Sequence, residues 1–123
     1  MKATINKSEL ELETQEDLGK YLDELNVADF AEGWMFHESK ESICILKAND
    51  YMFLMYLRYP EDVGFVSKGK NQNANAIEFT LANGQVDDFP VSWCIESEWA
   101  YKGLAYFFGN SGERSPYIEW QVG

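Results

Sequence analysis

The chain is predicted to be an α+β domain, a mainly antiparallel twisted sheet with two main helices packed on it, in a single unit spanning residues 1–123. Three observations predict this. Two segments carry apolar residues at helical spacing behind good capping residues. Between and after them lie runs that alternate at the strand period or are briefly apolar throughout. The connections between those runs are of hairpin length, which makes neighbours antiparallel. At 123 residues, 46% hydrophobic and 15% aromatic, the chain is long and apolar enough to bury a core.

The first helix is predicted over residues 15–25. Thr14 is a good N-cap, Glu16 and Asp17 suit the positive end of a helix, and Leu18, Tyr21, Leu22 and Leu25 recur on one side. Strand-like runs follow at Trp34 to Glu38, Ser42 to Lys47 and Tyr51 to Tyr59, with Ala48-Asn49-Asp50 turning between the last two. Ile77 to Leu81 alternates as a strand, and Asn83-Gly84 is the strongest hairpin signal in the chain. Val91 to Ile95 is a short apolar run. Ser97 is the expected cap of a second helix, on which Trp99, Gly103, Leu104, Phe107 and Phe108 can share one side. Gly109 and Gly112 end it, and Ile118 to Val122 reads as a closing strand. There is no repeat, low-complexity tract or linker.

Charge is the most distinctive bulk property. There are 21 acids against 10 Lys and Arg, a net of −11, and ten of those acids fall in residues 1–38 beside three lysines. Such a surface repels nucleic acid and anionic membrane and steers a basic partner inwards. The opening MKATINKSELELE has no apolar core of a signal peptide, and the longest apolar run, Tyr51 to Leu57, falls short of the ~20 residues a spanning helix needs. A cytoplasmic protein is therefore expected, with Cys44 and Cys94 as buried thiols in strand-like runs. Spacing alone leaves a disulfide between them open.

The stretch GFVSKGKN, Gly64 to Asn71, matches G-x-x-x-x-G-K and so touches on phosphate-binding loops. That chemistry needs a Ser or Thr after the lysine to hold Mg²⁺, and a helix whose N-terminus faces the phosphates. Asn71 stands where the hydroxyl should be, and QNANAIEFTL runs into a strand. A glycine-bracketed turn between strands is the expected reading, with no nucleotide or other cofactor. Catalysis has little to stand on. His37, the one histidine, lies in a strand-like WMFHES, and two distant cysteines with one histidine do not make a zinc site. Lys68 and Lys70 form the only local basic pair, too little for nucleic acid. No enzyme is expected, and the remaining class is a binder of protein.

The second half then resembles a known family. GFVSKG follows an aromatic strand, an extended segment and hairpin come next, and a helix ending LAYFFGNSG leads to a terminal GERSPYIEW. This order, over roughly residues 51–122, resembles the bacterial immunity protein family one, whose members are encoded beside polymorphic toxins, often nucleic-acid cytosine deaminases. The family's ending reads Gly, one residue, Arg-Pro, two residues, an apolar residue, one residue, Trp. Gly112, Arg114, Pro116, Ile118 and Trp120 fit it, while Ser115 intrudes between Arg and Pro. The resemblance implies that the glycine-bracketed segment is a landmark of the sheet. It also implies that the chain binds and inhibits, one to one, a cognate toxin domain with a basic substrate groove, by covering its active site. The alternatives are an acidic nucleic-acid mimic or adaptor bound to a basic nucleic-acid-handling protein, and an enzyme using His37 with a carboxylate. Binding residues are sought among exposed acids in turns, Glu61 and Asp62 before the glycine segment and Asp87 and Asp88 after the hairpin turn, since loops on a rigid sheet commonly carry binding.

Overall fold

The computed structural model describes residues 1–123. Nine strands and two helices run in the order β1 (Lys2–Ile5), β2 (Ser8–Glu11), α1 (Gln15–Val27), β3 (Phe30–Phe36), β4 (Ser42–Ala48), β5 (Tyr51–Leu57), β6 (Phe65–Ser67), β7 (Ala76–Thr80), β8 (Val86–Pro90), α2 (Ser97–Gly109) and β9 (Trp120–Val122). Seven of them form one sheet in the order β2-β1-β3-β4-β5-β6-β9, and every neighbouring pair is antiparallel. β7 and β8 pair separately as a hairpin. The α+β architecture expected from the sequence is the observed one. No helix is long and apolar enough to cross a membrane.

The molecule has three layers. Both helices cover one face of the large sheet, and the β7–β8 hairpin covers part of the other. On the helix side, Leu18, Tyr21 and Leu25 of α1 and Ala100, Leu104 and Phe107 of α2 pack against inward residues of β1, β3, β4 and β5. On the hairpin side, Phe79 of β7 packs with Cys44, Leu46 and Ala48 of β4 and Phe53 of β5. β4 lies in the middle of the sheet, covered on both faces, and every one of its residues is buried.

α1 begins as the sequence predicts. Thr14 Oγ1 accepts from Asp17 N (3.1 Å), and Asp17 Oδ2 accepts in return from Thr14 N (3.2 Å) and Glu13 N (2.9 Å). These backbone donors lower the Asp17 pKa. The other end of α1 has no basic residue of its own. Lys47, buried in β4, donates Nζ to the carbonyls of Leu25 (2.9 Å) and Asn26 (2.8 Å), so a strand supplies the cation that the helix C-terminus favours.

Several expectations need correction. β1 and β2 were not legible as a hairpin, because Asn6 and Lys7 take the two positive φ values of its turn (47° and 75°) without the glycine that usually marks one. β3 begins at Phe30 and ends at Phe36, before His37. Val91–Trp93 is a single 3₁₀ turn, so Cys94 lies just past it and in no strand. Pro90 has no N–H for a ladder, and Cys94 N bonds back to Val91 O (3.0 Å). Glu96, one residue before Ser97, is the α2 N-cap and makes no side-chain capping bond. Trp99 faces outwards, 42% exposed.

The glycine segment is also more than a turn, since its middle residues form β6. Gly64 has φ 73°, and a Cβ there would stand 2.6 Å from Leu57 Cδ2 and 2.7 Å from Tyr56 O. Gly69 donates N–H to Ser92 O (2.7 Å), and a methyl group there would overlap the Cys94 carbonyl oxygen. Both glycines are therefore demanded by backbone packing. A loop closed by Asn71 and Asn73 side chains follows, then the strand β7, so no helix follows the segment in the chain.

Candidate functional site

The four acids singled out in the sequence lie on separate elements, and the structure does not gather them. Glu61 is exposed in the β5–β6 turn, where Asp62 N bonds to Tyr59 O (3.2 Å). With Pro60 second and Glu61 third at φ 74°, this has the form of a type II turn, whose third position favours glycine. Asp62 is not the exposed acid expected. Its carboxylate is buried, taking Arg58 Nε (2.8 Å), Arg58 Nη2 (2.9 Å) and Arg58 N (3.0 Å). The Arg58 guanidinium holds it well below the usual carboxylate range. Asp62 braces the turn and is not free to receive a partner.

Asp87 and Asp88 are in β8, not in a turn; the turn itself is Leu81–Gln85. Successive strand residues point oppositely, and the register sorts them. Asp87 is opposite Phe79 on the packed side, where it accepts from Gln85 Nε2 (3.0 Å), whereas Asp88 is opposite Glu78 on the outer side. Two like charges directly across a strand pair repel, and neither has a cation within 4.0 Å.

The hairpin-side face of the large sheet is partly open. The β7–β8 hairpin is shorter than the sheet it sits on. Its turn is held where Glu32 Oε1 accepts from Ala82 N (3.0 Å), and Phe53 packs edge-on to Phe79 beneath it (ring centroids 5.2 Å apart). Beyond the hairpin the same face is covered only in part, with Phe36, Lys2 and Glu11 exposed. By register, one cross-strand row runs Glu11, Lys2, Phe36, Ser42, Leu57, and the row before it begins Glu9, Thr4, Trp34. Trp34 and Phe36 stack there with centroids 5.8 Å apart and planes 8° from parallel, and Phe36 is 41% exposed. A recess of about 350 Å³ lies on the β1–β2 side of Phe36, and another of about 420 Å³ on the side of Leu57 and Pro60. The alternation of Trp34 and Phe36 was readable, but which face the hairpin would leave bare was not.

The groups a catalyst would use are not assembled. His37 Nδ1 accepts from Ser39 N (3.3 Å) and stands 3.4 Å from Glu41 Oε1, and no nucleophile hydrogen-bonds the imidazole. Cys44 and Cys94 are free, with burial pushing the Cys94 thiol up to about 11 and Cys44 well above its ordinary value. Neither is a ready thiolate at neutral pH. No group of three His, Cys, Asp or Glu side chains is placed to hold a metal ion.

The terminal GERSPYIEW packs as a unit. Arg114 lies over Phe65 (4.0 Å to the centroid), with Tyr56 and Trp120 each at 5.9 Å. Trp120 Nε1 donates to Ser115 O (2.9 Å), and Ile118 is buried in the helix-side core. Ser115, the intruding residue, is itself buried, and its Oγ accepts from Tyr117 N (3.2 Å) in a small turn. The residues that carry the family resemblance therefore have structural work within the fold. No protein-family model matches the chain, and no curated protein matches it.

Proposed function

We propose that this chain is an immunity protein that binds a toxin domain, a nucleic-acid deaminase by the resemblance over residues 51–122, and silences it by covering its active-site mouth. The observation that carries the reading is the distribution of charge. Of 21 carboxylates, only Glu11, Glu16, Asp62 and Glu98 lie within 4.0 Å of a lysine, arginine or N-terminal cation. The rest of a net −11 is left for solvent or a partner. An enzyme that acts on nucleic acid needs a basic groove, and unpaired carboxylates on a rigid scaffold complement one, raising the association rate and selecting the partner. Coverage requires no catalysis.

The candidate contacts among the predicted acids narrow to Glu61, Asp87 and Asp88, because Asp62 is held by Arg58. The test is association kinetics with the toxin domain encoded beside the gene, at two salt concentrations. Glu61→Gln, Asp87→Asn, Asp88→Asn together should slow association and flatten its salt dependence. Salt-independent association, or no complex with that domain, would remove the reading. Capture of a housekeeping nucleic-acid protein instead would favour the mimic or adaptor.

A further inference from the structure

The bare end of the hairpin-side face has a chemistry of its own. Trp34 and Phe36 stack with their planes 8° from parallel, and Phe36, 41% exposed, is the open ring of the pair. The Trp34 indole N–H donates to Glu32 Oε2 (2.8 Å). A carboxylate on that N–H pushes electron density into the ring and makes its face a better seat for a cation. More acids border it. Glu9 and Glu11 are exposed on β2 and face the same side by register. Glu41 lines the second recess, and its Oε1 is buried without a hydrogen-bond donor. Lys2 and Lys40 also face this region, Lys2 directly opposite Glu11.

We propose that this face docks a segment of a protein partner that lays an arginine guanidinium on the exposed Phe36 ring of the Trp34–Phe36 stack. The proposal deepens the reading of a basic partner and rests on it. An aliphatic partner would leave the buried Glu41 Oε1 unanswered, and a nucleic acid would meet the net −11 of the chain. A guanidinium satisfies both requirements. It is planar and stacks on aromatic faces, and its fork of N–H donors suits carboxylate oxygens. The two recesses flanking Phe36 leave room for the residues on either side of the arginine.

The probe is a capped pentapeptide of alternating valine and arginine, with a second peptide in which citrulline, neutral and of the same shape, replaces arginine. Each is titrated into the ¹⁵N-labelled protein at low salt. The arginine peptide should shift the Trp34 indole N–H and the amides of Thr4, Phe36 and Leu57 saturably, and the citrulline peptide should bind at least about tenfold more weakly. Phe36→Ala should weaken the arginine peptide by roughly five- to tenfold while the protein stays folded with a single cooperative melt, and Phe36→Tyr should restore it. Equal binding of the two peptides would overturn the proposal, as would shifts confined to Asp88 or the Glu61 turn, or no saturable shift. Should the peptide bind as expected while the protein fails to inhibit the neighbouring toxin domain, the docking face stands and the immunity reading falls. Inhibition unimpaired by Phe36→Ala would do the opposite.

Discussion

On one face of the seven-stranded sheet, two helices close over β1, β3, β4 and β5, and the largest fully buried side chains of that core, Tyr21, Phe107, Leu25 and Met35, leave almost nothing exposed. On the other face a single hairpin covers the middle of the sheet and stops, leaving Phe36 exposed and stacked on a half-buried Trp34 that packs against the hairpin-side core. The strands alternate in the same way towards both sides, so the difference comes from what is laid on top. One side spends its apolar residues on stability. The other keeps some of them available for contact, and large aromatic side chains beside unpaired acids are what a protein interface uses.

The sharpest way to break this contrast is to truncate equivalent aromatics on the two sides. Phe107→Ala should cost about 3–5 kcal/mol in chemical denaturation, because it opens a cavity in the helix-side core. Phe36→Ala should cost less than about 1 kcal/mol, as a half-exposed ring loses little on removal. Similar losses at both sites would mean that the open face is part of the core after all.

A second test concerns how the helix layer is fastened. Lys47→Met keeps the length of the side chain but leaves the Leu25 and Asn26 carbonyls without their donor, which should cost about 1–3 kcal/mol. Hydrogen exchange should rise first in the last turn of α1. A change confined to β4 would refute the link between strand and helix.

Acid provides the third. The Asp62 pKa is lowered below its ordinary 3.8 by Arg58, so the carboxylate contributes stability that is complete above that value and lost as pH falls through the lower folded value. Asp62→Asn should therefore be less stable than wild type at neutral pH, with the gap closing on acidification below 3.8. A gap independent of pH would assign the effect to shape and not to charge. The smallest expected change is Glu61→Gly, which should raise stability by about 0.5–1 kcal/mol by relieving a positive φ at a side chain that the fold does not use.

Much of this architecture was legible because its signals are local. The Thr14 cap, the i, i+3, i+4 spacing of Leu18, Tyr21 and Leu22, and the Asn83-Gly84 turn each act within a few residues, and the structure has α1 and the β7–β8 hairpin where they point. The β1–β2 turn was missed because Asn6-Lys7 achieves its positive φ values without glycine. Val91 to Ile95 was misread because a short apolar run does not distinguish a strand from a buried turn. The site was the least legible part. Asp62 reads as a turn acid until Arg58, four residues earlier, is seen to close on it. The exposure of Phe36 depends on where a hairpin some fifty residues downstream comes to rest.

The central claim is inhibition by binding, and a stoichiometric titration tests it most directly. The toxin domain that the proposal expects beside the gene is held at a fixed concentration well above the dissociation constant, and its residual activity is followed as this protein is added. Binding predicts a linear fall to zero that ends at one protein per toxin domain, with a one-to-one complex on light scattering. Full neutralisation at a small fraction of that ratio would mean turnover, and undiminished activity at excess would mean that the toxin domain is not its target. Either result would contradict the account.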